Sequence, residues 1–245
     1  MKIIKPYAKL LPLPGWAVQS TGDSFTTNMG LALLKHVEWC ARISHRSEDA
    51  VTEDSWKRII QSVVLDHGDW SVVEHASVSV DAYVDRGITH EWVRHRLFSY
   101  TQESTRFVNY DKKIPPSFVN PFDMMVDYPG DTEEEKFQLK VREASIKWHK
   151  AIENLEDTYK EILALKFPPQ IARSVFPNAL ASRIITTGNL RNWRHFFIMR
   201  TSKETHPQMK EVSIPLLKEF QAKIPMLFND IIPDTKQSIA MSKVR

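Results

Sequence analysis

Side chains suited to binding an anionic ligand are concentrated in Glu91–Arg106, EWVRHRLFSYTQESTR. Arg94, His95 and Arg96 stand in a row. The polar Ser99, Thr101, Gln102, Glu103, Ser104 and Thr105 follow, and Arg106 closes the stretch. Guanidinium forks and hydroxyls so close together are natural donors to phosphate or carboxylate oxygens. Taken alone, the three basic residues also fit a helix end whose charge offsets the negative pole of the dipole. A second electropositive segment comes later. Between Glu161 and Glu204 there is no Asp or Glu, yet Arg173, Arg183, Arg191, Arg194 and Arg200 all fall there. Arginines without local carboxylates must find anions elsewhere. Arg173, Arg191 and Arg200 are therefore candidates for ligand contact, the alternative being carboxylates from other parts of the fold. Asn189 and Arg191 lie at an expected helix start, where free N–H groups favour anions.

Other chemistries find less support. With no GxGxxG or Walker sequence and only seven glycines, a phosphate-bearing ligand would be held by side chains and helix ends. His67 and His75 have Asp69 and Glu74 nearby but lack the cysteine pair or HExxH of a zinc site, so no metal is expected. His75 reads either as a hydrogen-bonding residue in a ligand cleft or as a core histidine. The single cysteine, Cys40, excludes an internal disulfide, fits a reducing cytosol and reads as core rather than nucleophile. No apolar run approaches eighteen residues, and the proline-broken N-terminus lacks a signal-peptide pattern. A cytoplasmic protein without a membrane span is expected.

The elements that must position these residues follow from periodicity. An amphipathic helix is expected from Asn28 to about His45, and a second after a cap at Thr52 or Asp54, burying Trp56, Ile59, Ile60, Val63 and Val64. Val78, Val80 and Ala82 alternate with Ser77, Ser79, Asp81 and Tyr83, which predicts a half-buried strand. Ile88, Trp92, Val93 and Leu97 recur at helical spacing, putting Arg94–Arg96 in the last turn of a helix, with Gln102–Arg106 following as loop or strand. A Pro-, Asn- and Asp-rich connection spans 107–131. Thr132 with Glu135 forms a capping box for a helix reaching about Lys166. Its seam of Val141, Trp148, Leu155 and Ile162, filled by Ile152 and Tyr159, points to burial against other helices of this or another subunit. Pro168 and Pro169 end it and open the next, Gln170–Val175. A strand is expected over Leu180–Thr187, then a helix capped by Asn189, then one after Pro207 that Pro215 kinks, then a loose tail from Asp234. The simplest account is one α+β domain over 1–245.

Three blocks in order resemble the flavin-dependent thymidylate synthases (the ThyX family). Arg94-His95-Arg96 with Ser99, Ser104 and Arg106 resembles that family's RHRxxSxNExSxR. HGDWSVVEHAS (67–77) resembles HGHxSxxEHxS, and NLRNWRHFFIMR (189–200) resembles NxRxLxxFxxLR, with HPQMKEV after it resembling AQxEIR. The resemblance implies an antiparallel sheet flanked by long helices, and a homotetramer with shared active sites. It further implies FAD bound without a Rossmann fold, and methylation of dUMP to dTMP with 5,10-methylenetetrahydrofolate and NADPH. Carried over by position, His75, Ser77, Arg94, His95, Arg96, Gln102, Asn189, Arg191 and His195 would hold FAD. Glu91, Arg94, Gln102, Glu103, Ser104, Thr105, Arg106, Arg173 and Arg200 would hold dUMP, with Arg200 assisting ionisation of the uracil. Thr101 and Gln102 depart from the Asn-Glu pair of the motif, and Glu91 and His195 stand where amides are common. The competing class is a non-enzymatic nucleic-acid binder using its arginines against phosphates. No recognised binding motif supports it, and the net charge is only +3.

Overall fold

The computed structural model describes residues 1–11, 29–112, 114–125 and 134–235. The expected capping box, the start of the first helix at Asn28 and nearly all of the tail lie outside the described residues. Within them the elements run β1 (Lys2–Ile3), β2 (Tyr7–Leu10), α1 (Met29–Ile43), α2 (Ser55–Ile59), β3 (Ser77–Asp85), α3 (Arg86–Trp92), β4 (Ser99–Gln102), β5 (Ser117–Phe118), α4 (Glu134–Ala164), α5 (Pro169–Ala172), β6 (Ala181–Asn189), α6 (Leu190–Arg200), α7 (Pro207–Lys223) and α8 (Pro225–Phe228). The protein mixes α and β, with an antiparallel sheet ordered β2-β3-β6-β4 and a short parallel pair of β1 and β5.

Alternation along β3 works as expected. Val78, Val80 and Ala82 are buried and pair with Gly188, Thr186 and Ile184 of β6. This face meets α1 through Leu33, Leu34 and Val37, α6 through Trp193, Phe196 and Phe197, and α7 through Val212, Leu216 and Phe220. The opposite face carries polar residues, and there Asp81 is fully buried because Arg183 covers it with a bidentate pair at 2.8 Å for both bonds. Neighbouring ring centroids 4.9 Å apart (Phe197 and Phe220) and 5.0 Å apart (Phe220 and Phe228) pack the helical side of the core.

Several expectations change. After α2 the chain widens into a π-helical turn over Ile60–Asp66, closed by the His67 N–H on the Ser62 carbonyl at 3.0 Å. Ile60 and Val64 are buried as expected. Neither Thr52 nor Asp54 caps α2 with its side chain; Ser55 Oγ instead accepts from the Thr52 N–H at 2.8 Å. Within the chain, the α4 seam meets strand and loop residues rather than long helices. Tyr159 stacks on Phe176 at 4.5 Å, while Ile152 packs with Phe118 and Leu180. The connection after β4 holds β5, a strand too short to leave a periodic signal. α7 carries Pro215 inside its span, Pro207–Lys223.

Gly188 is required by a close approach. A Cβ there would lie 2.1 Å from a ring carbon of Phe98. Gly188→Ala is therefore expected to cost about 1–3 kcal/mol through displacement of that ring. Urea unfolding of the variant beside wild type measures it, and equal stability would show that Phe98 yields freely.

Candidate active site

α3 begins where the Asp85 carboxylate accepts the Ile88 N–H at 2.9 Å, and it stops at Trp92. Beyond it the bonds tighten to three-residue spacing, Arg94 N–H to the Glu91 carbonyl at 3.3 Å and His95 N–H to the Trp92 carbonyl at 3.2 Å. Arg94–Arg96 thus lie past the last helical turn, which corrects the expected placement. The helical spacing that suggested otherwise breaks at Leu97, which is 80% exposed. The irregular turn runs into β4, whose pairing with β6 sets Ser99 opposite Thr187 and Gln102 opposite Ile184.

From the other side comes α6. Asn189 ends β6 and caps α6, its side-chain oxygen accepting the Asn192 N–H at 2.8 Å, as its position before the apolar run suggested. The helix presents Asn192, His195 and Met199 on one face. With Arg200 they meet Arg94, His95, Arg96, Leu97 and Phe98 around a cleft of about 270 Å³ whose lining contains no carboxylate residue. Arg94 and Arg96 are exposed, and no ion pair ties up either one among the described residues.

Arg200 is the best-anchored cation of the cleft. Its Nε donates to His95 Nε2 at 2.9 Å, Nη1 to a Glu91 carboxylate oxygen at 2.9 Å and Nη2 to the Glu91 carbonyl at 3.0 Å. An imidazole nitrogen that accepts from a guanidinium has no proton, so His95 is neutral and carries its hydrogen on Nδ1. Burial first, then the positive charge of Arg200 and then His195, pushes its pKa from 6.5 down to about 4. Three donor bonds leave two N–H groups of Arg200 for a ligand.

A second cluster forms beyond β4. Arg173 Nη1 donates to Thr105 Oγ1 at 2.9 Å and Arg106 Nε to Gln170 Oε1 at 3.2 Å, so the segments carrying these two arginines are joined next to Ser104, whose hydroxyl accepts the Arg106 N–H at 3.3 Å. Glu103 turns away, accepting the Tyr110 hydroxyl at 2.7 Å, while Gln102 points under α3 to Thr89 and Ser182 at 3.1 and 3.0 Å. At the other end of β6, Ser77 lies opposite Asn189, and Arg191 pairs with Glu74 at 2.5 Å beside an exposed His75. That exposure removes the core-histidine reading. His67 turns to the Ser62 carbonyl.

The acid-poor arginine segment thus resolves both ways. Arg183, Arg191, Arg194 and Arg200 take Asp81, Glu74, Asp230 and Glu91 from elsewhere in the fold, while Arg173 has only a neutral hydroxyl among the described residues. Leu97, Phe98, Asn192 and Met199 were missed as cleft residues. The spacing of Asn192 and Met199 with His195 on α6 was the available signal.

The family model described as "Thymidylate synthase complementing protein" (Thy1) matches residues 32–226. The chain belongs to this family. Flavin-dependent thymidylate synthase of Mycobacterium tuberculosis (strain ATCC 25618 / H37Rv) is 35% identical to it over 173 residues, covering 68% of this chain and 66% of that protein. The enzymes of the same name from Mycobacteroides abscessus and Mycolicibacterium gilvum are each 36% identical, over 176 and 174 residues. The chain spans 66% of the length of these curated relatives.

In this Thy1-family chain the state of His95 sets a pH dependence. A folded-state pKa near 4 against an unfolded 6.5 means that protonation costs more in the folded protein. The associated stability is present in full above pH 6.5 and is lost as pH falls through 4, about 3 kcal/mol over the range. Denaturant unfolding from pH 7 to pH 4 should show this loss in wild type and a shallower one in His95→Gln. Parallel profiles would contradict a buried neutral imidazole.

Proposed function

We propose that the chain, acting over 1–245 as one domain, is a flavin-dependent thymidylate synthase. It methylates dUMP to dTMP with 5,10-methylenetetrahydrofolate as carbon donor and NADPH as reductant through FAD. The observation that carries this reading is the convergence of Arg94, His95, Arg96, Asn192, His195 and Arg200 on one carboxylate-free cleft. Two of its guanidinium groups are unpaired at the rim, and Leu97, Phe98 and Met199 supply apolar surface. That donor set fits an anionic, aromatic cofactor: Arg94 and Arg96 would take its phosphates, and the apolar side chains its ring. His75, Ser77, Asn189 and Arg191 extend the same surface along the end of the sheet.

When bound, FAD supplies the hydride chemistry that no side chain can. The chain's own residues bind and polarise. Arg200, held by Glu91 and His95, keeps two N–H groups for the O2/N3 edge of a uracil, where negative charge develops. Neutral His95 orients Arg200 and is not an acid at neutral pH. Ser104, Arg106 and Arg173 form the phosphate end, Arg106 and Arg173 with neutral partners only. Glu103 and Gln102 stabilise the loop from behind rather than reach for substrate.

A homotetramer with shared sites suits this layout. The cleft and the phosphate cluster sit at opposite ends of β4, roughly 10 Å apart along a four-residue strand. The cleft, about 270 Å³, is small and open beside the pockets of about 300–1,000 Å³ that hold drug-sized ligands, and a neighbouring copy would supply further lining. Leu97 and Phe107, 80% and 73% exposed, flank the two clusters and offer apolar contact. No helix among the described residues is long and apolar enough to cross a membrane, in keeping with a cytoplasmic enzyme. The nucleic-acid reading loses ground because Arg183, Arg191, Arg194 and Arg200 are already paired with carboxylates.

The purified protein should be yellow, with a flavin absorbance spectrum that NADPH bleaches and dUMP with methylenetetrahydrofolate restores. A colourless protein that takes up no added FAD would refute the reading. Arg200→Ala is expected to slow the dUMP-dependent reoxidation by at least about a hundredfold. Cys40→Ser should turn over normally, since burial raises the Cys40 pKa and the residue stands outside the cleft. A dead Cys40→Ser variant would instead require a thiol mechanism.

A further inference from the structure

The turn from Glu91 to Leu97 is held largely by side chains that seize its carbonyls. Arg200 takes that of Glu91 at 3.0 Å. The Tyr100 hydroxyl lies 2.6 Å from the His95 carbonyl and 3.0 Å from that of Trp92, one proton serving both with the shorter contact on His95. Asn192 Nδ2 donates to the Leu97 carbonyl at 3.0 Å. Tyr100 is fixed by its place on β4 opposite Thr186, and its ring packs against the central core without lining the cleft. Asn192 is fixed in the first turn of α6 by the Asn189 cap. Sheet and helix thus grip the turn from two directions.

We propose that Tyr100 and Asn192 are positioning residues that hold the Arg94–Leu97 turn by its carbonyls, so that Arg94, His95 and Arg96 meet a ligand in one fixed arrangement. The proposal rests on the flavin reading of the cleft and adds to it what preorganises the cationic rim. Arg94 and Arg96 are exposed and unpaired, so their aim depends on the backbone beneath them. A rim ordered before binding spares the ligand the cost of ordering it. Removing the Tyr100 hydroxyl changes no charge at the cleft and leaves the Trp92 and His95 carbonyls with only their longer backbone bonds, from the His95 N–H at 3.2 Å and the Phe98 N–H at 3.4 Å.

The test uses Tyr100→Phe, which keeps the ring in the core, and Asn192→Ala, at a half-buried position. Tyr159→Phe is the control. It deletes another buried hydroxyl, one that accepts the Tyr110 N–H at 3.3 Å under α4, away from the cleft. Two quantities are read: the FAD dissociation constant by flavin fluorescence, and the titration of His95 by NMR in flavin-free protein. Tyr100→Phe and Asn192→Ala should each bind FAD at least about tenfold more weakly. His95 in Tyr100→Phe should titrate about one pH unit or more above wild type, because a loosened turn admits water to the ring. Tyr159→Phe should match wild type in both. His95 titrating at the wild-type value in the folded variants overturns the proposal, and so does undiminished FAD affinity. Should Tyr100→Phe fail to fold, Asn192→Ala decides by the His95 titration, which must rise above wild type, because Asn192 itself lines the cleft and its FAD affinity also reads direct contact. A wild-type protein that takes up no FAD defeats the flavin reading instead, and the His95 titration alone then decides whether the turn is held as proposed.

Discussion

The Arg200 guanidinium joins the end of α6 to the end of α3, and the cleft exists because of that junction. Its three bonds reach a carboxylate, a carbonyl and an imidazole on one short stretch of chain. Charge-assisted bonds in a partly buried setting are the stronger kind. They also constrain the chemistry of their partners: burial first and the charge of Arg200 second keep His95 neutral, which is the condition for accepting the Arg200 N–H. The pair therefore acts as a unit, in which the cation is aimed and the imidazole is kept unprotonated.

Around this junction the arginines divide by partner. Those that structure the fold have found carboxylates, with Asp81 buried beneath Arg183 and Asp230 against Arg194, whose guanidinium also lies 4.4 Å from the Trp70 ring centroid. Among the described residues, Arg94, Arg96, Arg106 and Arg173 form no ion pair, and Arg106 and Arg173 have neutral hydrogen-bond partners. Leaving several cations unpaired at one surface carries an electrostatic cost, and an anionic ligand offsets it. The division also explains why a chain with net charge of only +3 can present a strongly cationic site.

Packing beneath the cleft is equally specific. Phe98 lines the cleft, lies over Gly188, and approaches Trp193 with centroids 4.6 Å apart. The missing Cβ at Gly188 is what lets that ring approach β6 so closely. The floor of the cleft is therefore continuous with the aromatic core, and the register of β4 on β6 is transmitted to the arginine turn through Phe98 and Tyr100.

Much of this was legible in the residues themselves. Alternation marked β3, apolar spacing marked α1, and Asn189 marked the start of α6 as a cap, because each signal is local and lies within a turn or a strand. The three ordered blocks pointed to the family and to the residues around the cleft. Which arginines remain free was not legible, since Glu74, Asp81, Glu91 and Asp230 lie from about thirty to over a hundred residues away from their partners along the chain. Nor was the end of α3, where helical spacing persisted past Trp92 while side chains from β4 and α6 drew the carbonyls out of the helix. Local propensity and periodicity are properties of neighbours in sequence. Charge pairing and the shape of an irregular turn belong to neighbours in space, and only the tertiary structure brings those together.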